Sequence, residues 1–195
     1  KRLVDQYLNE SVMEDFQRRM VNELGFCAHH TEMLHSRPNK LSLALQHTTR
    51  LTTLKSKIEV TADVKIADKM AEIFMHSGET CVICEGVEVN MIRYYKTVAE
   101  MFYAESKFKD ILLSTNGFCL EHFGALLKYA RYARGKKKDY IYTLTKLERD
   151  VLNKLLEDLQ WFAAKHDYRN ADKPWNGAEK ALERSIYKLH GIEAK

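Results

Sequence analysis

From Asp139 to about His166, the residues Leu144, Leu147, Val151, Leu155, Leu159 and Phe162 step by three and four, the spacing that lays apolar side chains along one face of a long helix. The same step recurs upstream. Leu3, Val4, Tyr7, Leu8, Val12, Met13, Phe16, Met20, Val21 and Leu24 follow it before Gly25, and Leu41, Leu45, Leu51, Leu54 and Ile58 follow it after Pro38. Thr61-Ala62-Asp63 is placed to start a further helix carrying Val64, Ile66, Met70, Ile73 and Phe74, and Ala178 to His190 reads as a short closing helix ending at Gly191. Only two prolines and eight glycines interrupt 195 residues, so the expected fold is all-α. It is a helical bundle of two related helix-turn-helix units, with metal-ligand motifs at helix N-termini, plus the long C-terminal amphipathic helix. A single domain over residues 1–195 is expected.

The chemistry lies between these runs. Cys81-Val82-Ile83-Cys84 follows the turn Ser77-Gly78-Glu79-Thr80, and Gly117-Phe118-Cys119-Leu120-Glu121-His122 follows about 35 residues later. A Cys-x2-Cys pair and a Cys-x2-His pair offer three thiolates and one imidazole, the donor types and spacing of a tetrahedral zinc site or of an iron-sulfur ligand set. Cys81, Cys84, Cys119 and His122 are therefore the expected main site. A thiolate at a helix N-terminus gains from the helix dipole and from free backbone N–H groups. For these four residues to converge, the chain must turn between Phe102 and Lys107, because an unbroken helix from Cys84 to Thr115 would span about 46 Å.

Gly-Phe-Cys-x-x-His occurs twice. Gly25-Phe26-Cys27-Ala28-His29-His30 repeats the later motif at a shift of 92 residues, and Phe16 precedes Cys27 by eleven residues as Phe108 precedes Cys119. Internal duplication is the inference, with units of about 1–37, truncated at its start, and 81–134. Cys27 and His30 then form a half-site, and the shift places their expected Cys-x2-Cys just upstream of Lys1. The turn equivalent to Phe102–Lys107 falls near Glu10 to Asp15. His35, His47, His76, His166 and His190 have no partner motif and read as ordinary polar histidines.

Charge and cysteine usage narrow the function. No secretory leader is evident, and four cysteines in such spacing favour reduced thiols over a disulfide framework, hence a cytoplasmic setting without membrane association. Gly-x-Ser-x-Gly, His-Glu-x-x-His and phosphate-loop patterns are missing, which argues against hydrolytic catalysis. The leading expectation is a non-enzymatic protein with a structural Zn²⁺, acting as an interaction scaffold for a protein partner or as a metal sensor or carrier. An iron-sulfur or dithiol redox protein is the alternative. Nucleic-acid binding through Lys136-Lys137-Lys138 and tyrosines including Tyr95, Tyr103, Tyr129, Tyr132 and Tyr140 is a third reading, held back by a net charge of only +4.

The Cys-x-x-Cys, the Gly-Phe-Cys-x-x-His and the leucine-rich helix after it resemble an uncharacterised family of helical bacterial proteins common in Firmicutes. There the first pair usually reads Cys-Pro-x-Cys, where this chain has Val82. The resemblance covers most of the chain. It implies a cytoplasmic bacterial origin and supports Cys81, Cys84, Cys119 and His122 as a unit, with no established activity.

Overall fold

The computed structural model describes residues 2–193, so Lys1 and the last two residues of the expected 1–195 domain lie outside the described part. The described residues form ten α-helices and three short 3-10 segments, with no strand among them. No described helix is long and apolar enough to cross a membrane. The chain gathers into two compact units, Lys1–Met91 and Ile92–Lys195, and their boundary falls within one helix.

In the first unit, α1 (Arg2–Asn9) and α2 (Asp15–Leu24) are separated by a 3-10 turn at Ser11–Met13, inside the segment where the sequence calls for a break. Gly25, at φ 68°, ends α2, and its N–H donates to Val21 O. A side chain is disfavoured in that left-handed region, so glycine is the natural residue there. α3 (Ala28–His35) begins directly after Cys27, and α4 (Lys40–Lys55) begins after Asn39, whose side chain accepts from Ser42 N–H. The Asn39 amide also donates to Leu8 O, which ties the start of α4 to α1. Val4, Tyr7, Leu8, Val21, Leu34 and Leu43 form the core together with Cys81, Val82 and Ile83.

α5 (Val64–Met75) starts where the sequence puts it. Asp63 caps it by accepting from Lys65 and Ile66 N–H, yet no residue of α5 is buried. Its apolar stripe is correctly placed in period but only partly covered: Ile66, Met70 and Phe74 are half-buried, and Val64 and Ile73 are exposed. Periodicity reports which residues share a face, not whether anything packs on it.

α6 (Val82–Ala104) opens in the first unit and closes in the second. It stops at Ala104, and α7 (Phe108–Leu113) starts four residues later, so the helix breaks within the segment named from the sequence. α8 (Leu120–Lys128) follows, then a 3-10 segment at Ala130–Lys136, α9 (Lys137–Ala164), a 3-10 turn at Tyr168–Asn170 and α10 (Ala181–His190). α9 packs against α7, α8 and α10. The core of this unit is Ala99, Phe102, Leu112, Leu126, Ala130, Ala133, Tyr140, Leu144 and Leu147, with Phe102 and Tyr140 edge to face at 5.1 Å. α8 ends at Lys128, and the 3-10 segment that follows is kinked at Arg134, at φ 48° and ψ −123°.

Candidate metal centre

Two loops meet in the first unit. One runs from Leu24 to Cys27 between α2 and α3; the other runs from Ser77 to Cys81 into α6. Thr80 Oγ1 donates to Leu24 O at 2.6 Å, and Val82 N–H donates to Gly25 O at 3.1 Å. Arg50, reaching from α4, donates to Asn22 O, to Glu23 O at 2.9 Å and to Ser77 O at 3.5 Å. One guanidinium thus holds the end of α2 and the turn before Cys81 together. Beneath them the Phe26 ring lies edge-on to Tyr7, with centroids 6.0 Å apart.

These contacts bring Cys27, His30, Cys81 and Cys84 into one cluster, whose ligand atoms all lie within 4.8 Å of one another. His30 Nδ1 is 3.3 Å from Cys27 Sγ, 3.4 Å from Cys81 Sγ and 3.3 Å from Cys84 Sγ, while Cys27 Sγ and Cys84 Sγ are 3.9 Å apart. Bonds of about 2.3 Å to sulfur and about 2.0 Å to nitrogen, set tetrahedrally around Zn²⁺, give sulfur–sulfur edges of about 3.8 Å and sulfur–nitrogen edges of about 3.5 Å. The donor set is therefore sized for one tetrahedral ion.

The local backbone suits that chemistry. Cys27 is the residue before α3 and His30 lies in its first turn; Cys81 is the residue before α6 and Cys84 lies in its first turn. The positive ends of two helix dipoles thus face the three sulfurs. Cys81 is buried and Cys27 half-buried, and Cys84, the most exposed residue of the three, has its sulfur set against the other ligands.

Proton affinities diverge across the cluster. Burial works to raise the Cys27 thiol, but the His30 N–H, the thiols of Cys81 and Cys84 and the His29 N–H outweigh it, so its pKa falls below the ordinary thiol value. Burial, with Cys81 and then Cys27 as crowding neighbours, pushes Cys84 up to about 12. His30 is lowered by burial and by the nearby His29, which favours the neutral imidazole a metal needs. Three thiolates in one small space repel one another, and a cation relieves that repulsion.

The expected set of Cys81, Cys84, Cys119 and His122 is not the one brought together. Cys81 and Cys84 meet Cys27 and His30 instead, while Cys119 and His122 belong to the second unit and take no part in the cluster. The half-site of the sequence reading and the Cys-x2-Cys complete each other. The reason is the chain path within the first unit: the Val82 N–H donates to Gly25 O, which seats the start of α6 beside the Cys27 loop. Spacing within each pair gives the ligands but not which pairs meet. The one sequence signal was numerical, a single Cys-x2-Cys between two Cys-x2-His halves.

The second Gly-Phe-Cys-x-x-His has the same local shape in other company. Gly117 is at φ 69°, and Cys119 precedes α8 with φ −66° and ψ 156°, against −70° and 164° at Cys27. Here the neighbours are a buried ion pair. Lys188 Nζ donates to Glu148 Oε1 at 2.8 Å and to Phe118 O at 2.6 Å, and Phe118 N–H donates to Glu148 Oε2 at 3.1 Å. Cys119 is buried against Gly191, where an added Cβ would sit 3.2 Å from its Sγ, and the His122 ring lies 6.0 Å from that of Tyr95. Of the other histidines, His76 pairs with Glu79 at 2.8 Å on the surface.

No curated protein and no solved structure matches the chain. A family model described as a family of unknown function (DUF6062) matches residues 1–195.

Proposed function

The chain belongs to this family of unknown function, and from the site itself we propose that Cys27, His30, Cys81 and Cys84 hold a structural Zn²⁺ that fastens the N-termini of α3 and α6 together. The observation that carries this reading is a set of edges near tetrahedral length, 3.3 to 3.4 Å from sulfur to nitrogen and 3.9 Å from Cys27 Sγ to Cys84 Sγ, with all four ligand atoms within 4.8 Å of one another. Four protein ligands close the coordination sphere, which suits a folding role over a catalytic one. Bound zinc supplies charge neutralisation for the thiolates and a cross-link between two helices. The protein is then a non-enzymatic helical scaffold, and its bacterial, cytoplasmic setting goes with the resemblance described above. The paired Gly-Phe-Cys-x-x-His loops are descendants of one duplicated unit, of which one half keeps metal ligation and the other is held by Glu148 and Lys188.

Elemental analysis of protein purified without added metal tests the assignment. About one zinc per chain is expected, lost in Cys27→Ser and Cys84→Ser and kept in Cys119→Ser. Zinc that survives Cys27→Ser but leaves with Cys119→Ser would overturn the ligand set. Iron and a brown colour would replace zinc with the redox reading.

A further inference from the structure

The second unit carries most of the positive charge. Residues 92–195 hold 20 basic and 14 acidic side chains, whereas residues 1–91 hold 11 and 13. Within the second unit, six of the eleven residues from Lys128 to Lys138 are Lys or Arg and none is Asp or Glu.

The cations of this face rest on tyrosine rings. Lys96 Nζ lies 5.2 Å from the Tyr132 centroid and 6.0 Å from that of Tyr129, and the Arg131 guanidinium is 5.2 Å from Tyr132. Arg134 and Lys136 approach Tyr103 at 5.4 Å and 5.9 Å. Among the described residues, none of these four cations forms an ion pair with a carboxylate. A ring quadrupole orients a cation without cancelling its charge, so the face keeps a full positive potential. Cations also recur at every third residue, Lys128, Arg131 and Arg134. Lys128 closes α8, and Arg131 and Arg134 follow in the 3-10 segment Ala130–Lys136, which kinks at Arg134.

We propose that this face, built from the end of α6 and the Lys128–Lys138 segment, docks single-stranded nucleic acid, with the cations on successive phosphates and Tyr103 as a stacking platform. A polyanion satisfies several unneutralised charges spread over one face better than a compact anion does. Rings set among the cations match the pairing of electrostatic groove and aromatic platform that single strands use. Tyr103 is 40 % exposed and available for a base, whereas Tyr140, also in the basic-aromatic reading of the sequence, is fully buried against Phe102 and is not. The inference is independent of metal binding, since all the residues it uses lie in the second unit.

Fluorescence anisotropy of the full chain with a labelled oligouridylate of about 20 nucleotides provides the test. With about three phosphates neutralised, affinity falls about 20-fold between about 50 and 200 mM salt. Arg131→Glu with Lys136→Glu weakens binding by about tenfold or more, as does Lys137→Glu with Lys138→Glu in the exposed first turn of α9, used should the first pair disturb folding. Tyr103→Leu costs about fivefold, and Lys65→Glu in the first unit stays within about twofold of the parent chain. The proposal falls if no binding is seen at about 50 mM salt, or if polyglutamate binds as well as RNA and Tyr103→Leu changes neither. It also falls if phosphatidylserine vesicles bind and the oligonucleotide does not.

Discussion

At neutral pH the Cys84 thiol keeps its proton, because burial and two neighbouring thiols raise it to about 12. His30, lowered by burial and by His29, has already shed its own. Metal binding must therefore displace at least one proton throughout the physiological range, so that affinity rises with pH and falls as acid competes for sulfur. A zinc competition assay between about pH 6 and 8 should show at least about a tenfold gain in affinity per pH unit, with proton release detectable in weak buffer. Affinity that does not change with pH would exclude Cys84 as a thiolate ligand. At this scale the ligand identities were legible: every residue of the cluster is a Cys or His that the motifs mark. Their partnership was not, because a thiol 54 residues from an imidazole leaves no local trace of whether they touch.

Helix starts and stops were readable where one residue decides them. Asp63 caps α5, and Gly25 and Gly117 take the left-handed backbone that each loop requires. Where tertiary contact decides, sequence was silent, as with the partly covered face of α5 and the 3-10 path after Lys128. The second Gly-Phe-Cys loop shows how two similar stretches diverge. Glu148 and Lys188 are buried on α9 and α10 and satisfy both backbone groups of Phe118. Glu148→Ala strands a buried ammonium and should cost about 3–5 kcal/mol in denaturant unfolding. Glu148→Leu combined with Lys188→Met removes both charges and should cost less, about 1–3 kcal/mol, for the unpaired Phe118 N–H and C=O. A single-variant loss below about 1 kcal/mol would show that the pair does not hold the loop.

Across the whole molecule the two units differ in charge and in what lies at their Gly-Phe-Cys loops, a cluster of three cysteines and a histidine in one and a buried ion pair in the other. The sequence showed the all-α class and the placement of α9; the division at Met91 had no marker, since it falls inside a helix. The cluster joins residues 57 apart, Cys27 and Cys84, and a cross-link around such a loop restricts the unfolded chain by about 4 kcal/mol. Between them lies the exposed stretch of Ser56–Lys57 and Glu59–Val60 that leads to the unburied α5. A bound ion makes this part of the chain a closed ring, and a ring can be cut once without coming apart. Trypsin acting at Lys57 should yield two fragments that elute together in gel filtration while zinc is present and separate after chelation. Fragments that part while zinc is still bound would mean that the ion does not bridge the two ends. For a proteolysed cell extract, the metal would then decide whether one cut is a scar or a severance.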